Sequence, residues 1–443
     1  MKSSYPVMNG PVAVTVDRNT PQDTVGALAD ASLCSDVLSV LRRRDQRRKG
    51  GMYVRGLLEA LGRKTMRGLA AHAGEPAAEQ SLHHFISSST WDWEQMRARL
   101  ARRLEQDLEP RAWVVRSMVV PKAGTHSVGV ERRYVPHLGQ AVNCQQSWGL
   151  WYAADHGSAP VNWQLSIGHD WLGDDDLRRR VAIPDEMPVS LSDTVAAEVA
   201  VQAASWGVTP RPVVMDAREV APAPMMRALS AAGLPFLLRV SANTTLLAPA
   251  LSGTSRVVTA TAEHVAEMAP SQRRPVEWTD PADAAVTRTS LVSLLPVRWP
   301  RAALGRHAMA RGSMADAGAN RLRSTGLTLM AEWRPNRPRA AELWVTNVGS
   351  VGRGGLLRLG KLTRRVASDF RRVGQDVGLR DFEGRSYRGW HRHMTLGSLA
   401  HVMRLFDPRF SGVSAKSGSA GGAERAGVPV PDPVSAILAR EAV

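Results

Sequence analysis

The chain has 443 residues, of which 44% are apolar and 22% charged, so it can form two or three domains with sizeable cores. Its net charge of +16, carried almost entirely by arginines, favours a polyanionic partner, of which nucleic acid is the commonest. Cys34 and Cys144 are too far apart to suggest a disulfide framework or a zinc site, and no stretch resembles a signal peptide or a membrane helix. These features predict a cytoplasmic protein without a membrane partner.

The first hundred residues predict a leader and then helices. Residues 1–22 are rich in Pro, Ser, Thr and Asn, which is typical of a disordered leader, and 23–108 show apolar residues at helical spacing. A basic run occupies 42–49, and Ser89 and Asp92 resemble a capping pair before a further helix. Short helices of this kind are compatible with a helix-turn-helix reader of DNA and with a plain helical bundle, and spacing alone does not choose between them.

Strand patterns begin at Arg111. Residues 109–406 alternate between strand and helix, which predicts an α/β core, and about 240–350 is mostly β and suggests a sheet inserted into that core. Helices resume at 355–378 and 391–406, and 407–443 is a Gly/Ala/Ser/Pro-rich tail that we expect to be disordered. The predicted class is α+β and multidomain, with a helical domain at 23–108, which we expect to bind DNA, before the core.

Several segments, in order, resemble the insertion-sequence DDE transposases, in particular the group typified by insertion sequence 701. The segments together span roughly residues 35–405, and they are specific as an ordered set rather than singly. They are RRRDQRRKGGMYVRGLLEALGRKTM, SLHHFISSSTWDW, PKAGTHSVGVERRY, NCQ, PVNW, DDDLRRRVAIPDE, VVMD, LLRLGKLTRRVASDF and GLRDFEGRSYRGWHRHMTL.

The resemblance implies a ribonuclease-H-like core holding three acidic residues, with a β-rich insertion before the third. Such enzymes cut and rejoin DNA with two divalent metal ions, one activating the attacking oxygen and the other stabilising the leaving oxygen. Because Mg²⁺ and Mn²⁺ prefer carboxylate oxygens, the acids carry the chemistry.

Position by position, the resemblance leaves one acid of three. The first family site, an Asp-Asp pair ahead of the Pro-Lys motif, reads Arg116 and Ser117 here, whereas the second acid is present as Asp216. The third, a Glu on the late helix, falls on Ala367, and a Lys expected further along falls on Gly374.

One carboxylate cannot hold two divalent ions in a fixed geometry, and an arginine at the first site would repel them. We therefore predict impaired cleavage, and an ion pair between Asp216 and Arg116 across the vacated site. Three other acids could be recruited, namely Asp369, Glu219 and Glu383, but Asp369 should face away from the site because it follows Ala367 by two helical residues. No cofactor is expected, and Mg²⁺ would bind only if such an alternative acidic site existed.

The expected partner is double-stranded DNA, either the element's ends or its target, which would place the protein at the nucleoid, and a homodimer is left open. The residues predicted to contact DNA are Arg42, Arg43, Arg44, Arg47, Arg48, Lys49, Lys122, Arg364, Arg365, Arg371 and Arg372. His391 and His393, two residues apart on a helix, should point to different sides and so cannot share a metal ion.

Three functions are compatible with these features of the sequence. The leading one is a DNA-binding transposase homologue that is impaired or inactive in cleavage. The second is an active transposase with relocated carboxylates. The third is a non-enzymatic protein whose former DNA groove now binds DNA or another macromolecule.

Overall fold

The computed structural model describes residues 32–72, 78–135, 138–185, 187, 192–249, 257–300 and 326–407. The predicted leader at 1–22 and the tail after residue 407 lie outside the described residues. Within them, no helix is long and apolar enough to cross a lipid bilayer.

The N-terminal part is helical, as its periodicity predicts. Residues 32–38 form a helix. Further along the chain, Asp92 caps the helix Trp93–Asp107 by accepting a hydrogen bond from the backbone N–H of Glu94 at 2.8 Å. The helices are α1 (Arg44–Glu59), α2 (Met66–His72), α3 (Glu79–Ser87) and α4 (Trp93–Asp107).

These helices pack around the last helix of the chain, α11 (Tyr387–Phe406). The Tyr53 hydroxyl donates to Nδ1 of His393 at 2.8 Å, and the buried guanidinium of Arg97 donates to Oγ1 of Thr395, also at 2.8 Å. One continuous hydrophobic core contains residues from both the helical segment and the sheet. The predicted division at residue 108 therefore crosses a well-packed contact and stays a prediction.

A ten-stranded mixed sheet forms the centre of the molecule. The strands of the described chain are β1 (Ala112–Pro121), β2 (Val130–Val135), β3 (Gln140–Ala153), β4 (Ser158–Leu165), β5 (Val213–Asp216), β6 (Phe236–Val240), β7 (Thr245–Pro249), β8 (Val257–Thr261), β9 (Arg274–Asp280), β10 (Asp283–Val297), β11 (Leu327–Trp333) and β12 (Glu342–Thr346). The order in the large sheet is β2-β3-β1-β5-β6-β12-β11-β10-β9, with β4 paired to β3, and β5 runs parallel to both β1 and β6. The large mixed sheet with helices on it is consistent with the ribonuclease-H-like fold that the resemblance implies.

The strands predicted as an inserted sheet have a different arrangement. Four of them, β9 to β12, extend the core sheet because β12 pairs with β6 in antiparallel register, Thr346 opposite Leu237. Only β7 and β8 form a separate two-stranded sheet. The sequence pattern predicted a mostly β region at about 240–350, but it could not reveal the pairing partners of the strands.

The late helix α10 (Arg353–Asp369) lies over one face of this sheet and continues into a π-helix, Phe370–Gly374. Its apolar side, including Leu357, Leu362 and Val366, is buried. The remaining helices are α5 (His169–Leu172), α6 (Asp175–Val181), α7 (Ser192–Ala204), α8 (Pro222–Ala231) and α9 (Ala262–Glu267).

Candidate functional site

The fold brings three of the predicted site positions, Arg116, Ser117 and Asp216, to one cleft. In the parallel pairing of β1 with β5, Val115 lies opposite Met215, so the next residues, Arg116 and Asp216, lie side by side on neighbouring strands. Helix α10 covers this edge, and the enclosed space is about 360 Å³. We call it the Asp216 cleft, and its lining residues are Val114, Val115, Arg116, Ser117, Asp216, Arg218, Glu219, Thr363 and Val366.

Asp216 is held by two arginines, neither of which is Arg116. Arg218 donates from Nε to Oδ1 at 2.8 Å and from Nη2 to Oδ2 at 2.7 Å, and Arg239 on β6 lies 3.4 Å from Oδ2. Partial burial raises the pKa of Asp216, but the hydrogen bonds from Arg218 and the charge of Arg239 outweigh it, so the net shift is downward. The predicted Asp216–Arg116 ion pair is therefore wrong, because two nearer guanidinium groups already saturate the carboxylate.

The Arg116 guanidinium instead lies over the Phe370 ring, 4.8 Å from its centroid. Its Nε is buried without a hydrogen-bond partner. Burial lowers the pKa of Arg116, and the nearby charges of Arg371 and Arg380 lower it further. A cation that is partly desolvated among other cations is poised to attract an anion.

The position predicted for the third acid, Ala367, follows Val366, which lines this cleft, but is not itself one of the lining residues. Ala367 is half-buried, four residues after Thr363 and three before Phe370, so the three lie on one helix side. Gly374 is buried, and a Cβ there would approach Phe370 and Leu379 to 3.0 Å, which leaves little room for a lysine.

Of the three alternative acids, Asp369 and Glu383 bind groups elsewhere in the protein, and only Glu219 lines the cleft. Asp369 is fully buried and accepts hydrogen bonds from the backbone N–H and the hydroxyl of Ser158, both at 2.8 Å, as its helical position predicted. Glu383 pairs with Arg63 at 3.3 Å, whereas Glu219 lines the cleft alone. Across the described part of the chain, no group of three His, Cys, Asp or Glu side chains converges as metal ligands would.

A buried ionic network continues from Asp216 across the same face of the sheet. Arg239 also lies 3.7 Å from Glu342, whose carboxylate pairs with the ammonium of Lys361 at 3.0 Å. Lys361, which α10 supplies, pairs in addition with buried Glu332 on β11 at 2.5 Å. Negative and positive groups thus alternate from Asp216 on β5 to Glu332 on β11.

The sequence prediction missed Arg218, Arg239 and this network. The available signal was a single charged residue within an otherwise apolar strand, as in FLLRV at 236–240. Such a residue needs a partner when its strand is central, because a buried charge without one is costly.

The predicted DNA-contacting run is exposed at the start of α1. Arg42, Arg43, Arg44, Arg47 and Arg48 are exposed, whereas Lys49 is half-buried and lies 3.8 Å from Asp45. Arg47 also donates to the carbonyl of Leu41 at 2.6 Å.

Three other residues predicted to contact DNA already bind groups of the protein itself. Lys122 donates to the Phe382 carbonyl at 2.7 Å, and burial, helped by the charge of Arg63, lowers its pKa to about 8. Arg364 pairs with buried Asp280, and Arg365 donates at 2.6 Å to the carbonyl of His156.

The π-helix carries the remaining two arginines. Arg372 lies 3.2 Å from Asp369, whereas Arg371 is exposed and forms no ion pair with a described residue. Among the late arginines, Arg371 is therefore the best placed to bind an external phosphate.

The paired histidines of α11 behave as their spacing predicts. Nε2 of His393 donates to the Gly378 carbonyl at 2.9 Å, whereas Nδ1 of His391 accepts from Arg97 at 3.1 Å. Both side chains are buried, and they bind different partners in the core.

A mixed sheet, a late helix across it and an aspartate at the end of a central parallel strand define a nuclease-type core. The model of the family described as DDE superfamily endonuclease matches residues 36–302, more than half of the chain. The chain therefore belongs to the DDE superfamily endonucleases. No protein with a curated description matches it.

The residues of the Asp216 cleft do not fit the pair of divalent ions that this superfamily uses. The cleft offers Asp216, already paired with Arg218 and Arg239, and Glu219, while Arg116 adds a third positive charge. A divalent ion would have to displace two guanidinium groups and remain beside the Arg116 cation.

Proposed function

We propose that this protein is a DNA-binding homologue of the insertion-sequence DDE transposases, of the group typified by insertion sequence 701, and is impaired or inactive in metal-dependent strand cleavage. The observation that carries the proposal is the setting of Asp216. Its carboxylate pairs with Arg218 and Arg239, and Arg116 is its neighbour on β1. The proposed ligand is double-stranded DNA, either the element's ends or its target.

The placement of the arginines on α1 supports the DNA-binding half of the proposal. Arg43 is the N-cap without a side-chain capping bond, and Arg44, Arg47 and Arg48 follow in the first turns. Cations at a helix N-terminus oppose the helix dipole and cost roughly 0.3–1 kcal/mol each. Their placement is therefore not explained by helix stability, whereas a phosphate backbone would neutralise all of them.

The cleavage half is tested with end-labelled duplex DNA, incubated with the full-length protein in EDTA, Mg²⁺ or Mn²⁺. We expect a complex in all three conditions and no metal-dependent cleavage, with Asp216→Ala giving the same pattern. Cleavage that needs Mg²⁺ or Mn²⁺ and disappears in Asp216→Ala would overturn the proposal and support the active transposase with relocated carboxylates.

The binding half is tested by the salt dependence of the duplex affinity. Because each neutralised phosphate contributes about 0.9 to the slope of log K against log salt, the double variant R43Q/R44Q should lower that slope by up to roughly 1.8. The matched control is Arg337→Gln, another exposed arginine, in the turn between β11 and β12, which should leave the slope unchanged. Binding that does not respond to salt would favour a non-DNA macromolecular partner instead.

A further inference from the structure

A second and larger cleft adjoins the Asp216 cleft. It encloses about 820 Å³, and the two clefts share Arg116, Ser117 and Glu219. Tyr134 on β2 and Arg371 on the π-helix are among its other lining residues, and we call it the Tyr134 cleft. Its size lies in the range of small-ligand sites, roughly 300–1,000 Å³, and so suits a nucleotide unit.

Three arginines in the Tyr134 cleft form an unneutralised cluster. Arg116 and Arg371 form no ion pair with any described acid, and Arg380 donates only to a backbone carbonyl, that of Val119, at 3.1 Å. A fourth arginine, Arg133, is already paired with Glu131 at 2.5 Å and is not part of the cluster. Like charges held together without ion pairs are stabilised by a bound anion, and arginine forks match phosphate oxygens.

The π-helix is a second, independent feature that builds this site. The Gln375 N–H donates to the Phe370 carbonyl at 2.9 Å, five residues back, so these two residues lie one above the other along the cleft. The Phe370 ring holds the Arg116 guanidinium without using its N–H groups. Single π-turns of this kind are frequent at functional sites.

Tyr134 supplies a flat apolar surface to the same cleft. It is 66% exposed, one of the few large hydrophobic side chains exposed in the described chain. An aromatic ring beside arginines is the combination with which proteins bind unpaired strands, the ring stacking on a base and the arginines holding the backbone. In an intact duplex both faces of a base are covered by its neighbours, so a base must be unpaired to stack on Tyr134.

From these observations we infer that the Tyr134 cleft binds single-stranded DNA, with Arg116, Arg371 and Arg380 on a phosphate and Tyr134 on the attached base. The inference rests on the proposed DNA-binding function and specifies a separate site for unpaired strands. Glu219 is an acid that lines the cleft, and its charge disfavours a second phosphate beside the first.

The test is fluorescence anisotropy of the full-length protein with three labelled probes of equal length: a single strand, the same strand with abasic sites throughout, and the duplex. Tyr134→Ala should weaken single-strand binding roughly 5- to 150-fold, and Tyr134→Phe should retain it. Arg371→Gln should weaken both single-stranded probes and lower their salt slope by about 0.7. Arg337→Gln again serves as the charge-matched control, and thermal melting checks that each variant folds.

The outcomes separate the inference from the proposed function. Duplex binding that survives Tyr134→Ala, together with loss of single-strand binding, supports the inference. If the wild-type protein binds the duplex but not the single strand, or if both variants bind the single strand as tightly as wild type, the inference is overturned and the proposed function stands. If wild type binds neither probe, both are overturned.

Discussion

Arg239 faces Asp216 in the register of β5 and β6, and its Nη1 lies 3.4 Å from Oδ2 of that carboxylate. A guanidinium thus reaches from the neighbouring strand to the carboxylate at the end of β5. Because Arg239 also approaches Glu342, it links the cleft to the buried network beneath α10. Asp216 serves as a counter-charge among arginines, which makes its removal informative.

Asp216→Asn should change stability by less than about 1 kcal/mol, because 39% of the side chain is exposed and its ion pairs are screened. The same change should raise DNA affinity severalfold, because it removes a negative charge from among Arg116, Arg218 and Arg239. Urea denaturation and anisotropy with duplex and single-stranded probes measure the two effects. The control is Asp170→Asn, an exposed acid at the start of α5. A lowered affinity for both probes would contradict the counter-charge role.

Lys361→Met should destabilise the protein by about 3–5 kcal/mol, because it leaves the buried carboxylates of Glu332 and Glu342 without a counter-charge. The triple variant that adds Glu332→Gln and Glu342→Gln should recover most of the loss, since no buried charge is then left unpaired. Urea denaturation of the wild type, the single variant and the triple variant measures both steps. Equal losses in the single and triple variants would show that packing, not charge, dominates at this position.

Local patterns predicted the secondary structure well where the signal was itself local. Asp92 caps α4, and the short apolar run ending at Asp216 is strand β5. The placement of Arg116 beside Asp216 came from the family resemblance, and the parallel register of β1 with β5 agrees with it.

Pairings between distant segments could not be predicted in the same way. The joining of β12 to β6 depends on backbone hydrogen bonds between residues more than one hundred positions apart, such as Thr346 and Leu237. The choice of Arg218 and Arg239 over Arg116 as partners of Asp216 depends on side-chain reach of a few ångströms. Periodicity reports which face of an element is buried, not what lies against it.

Gly56→Ala should destabilise the protein by about 1–3 kcal/mol, because a Cβ at Gly56 would lie 2.8 Å from the carbonyl oxygen of Leu69 and 2.9 Å from its Cα. These are backbone atoms of α2, so helices α1 and α2 would have to separate. The matched control is Gly51→Ala in the same helix, where the nearest atom would be Cδ1 of Leu38 at 4.0 Å. That change should stabilise the protein by about 0.5–1 kcal/mol, because alanine favours helix over glycine. Thermal or urea denaturation of both variants measures the difference, and a destabilised Gly51→Ala would contradict the proposed packing.

The buried histidines of α11 predict a loss of stability in mild acid. Burial lowers the pKa of His393 and of His401 from 6.5 to about 4, and that of His391 well below 6.5. As the pH falls below 6.5, the unfolded chain takes up protons at these residues and the folded chain does not. The free energy of unfolding should therefore decrease from pH 6.5 down to about pH 4, by up to about 1.4 kcal/mol per pH unit for each histidine.

Replacing one of these histidines separates their contribution from that of the carboxylates, which titrate at lower pH. His401 donates from Nε2 to the carbonyl of Ser158 at 3.0 Å, and His401→Gln keeps a donor while removing the titrating group. Urea denaturation at half-unit steps between pH 7 and pH 4.5 should give a slope shallower by up to about 1.4 kcal/mol per unit in this variant. The matched control is His264→Gln, which changes an exposed histidine on α9. Equal slopes for wild type and His401→Gln would mean that the folded protein hydrates this histidine, against its complete burial between α11 and β4.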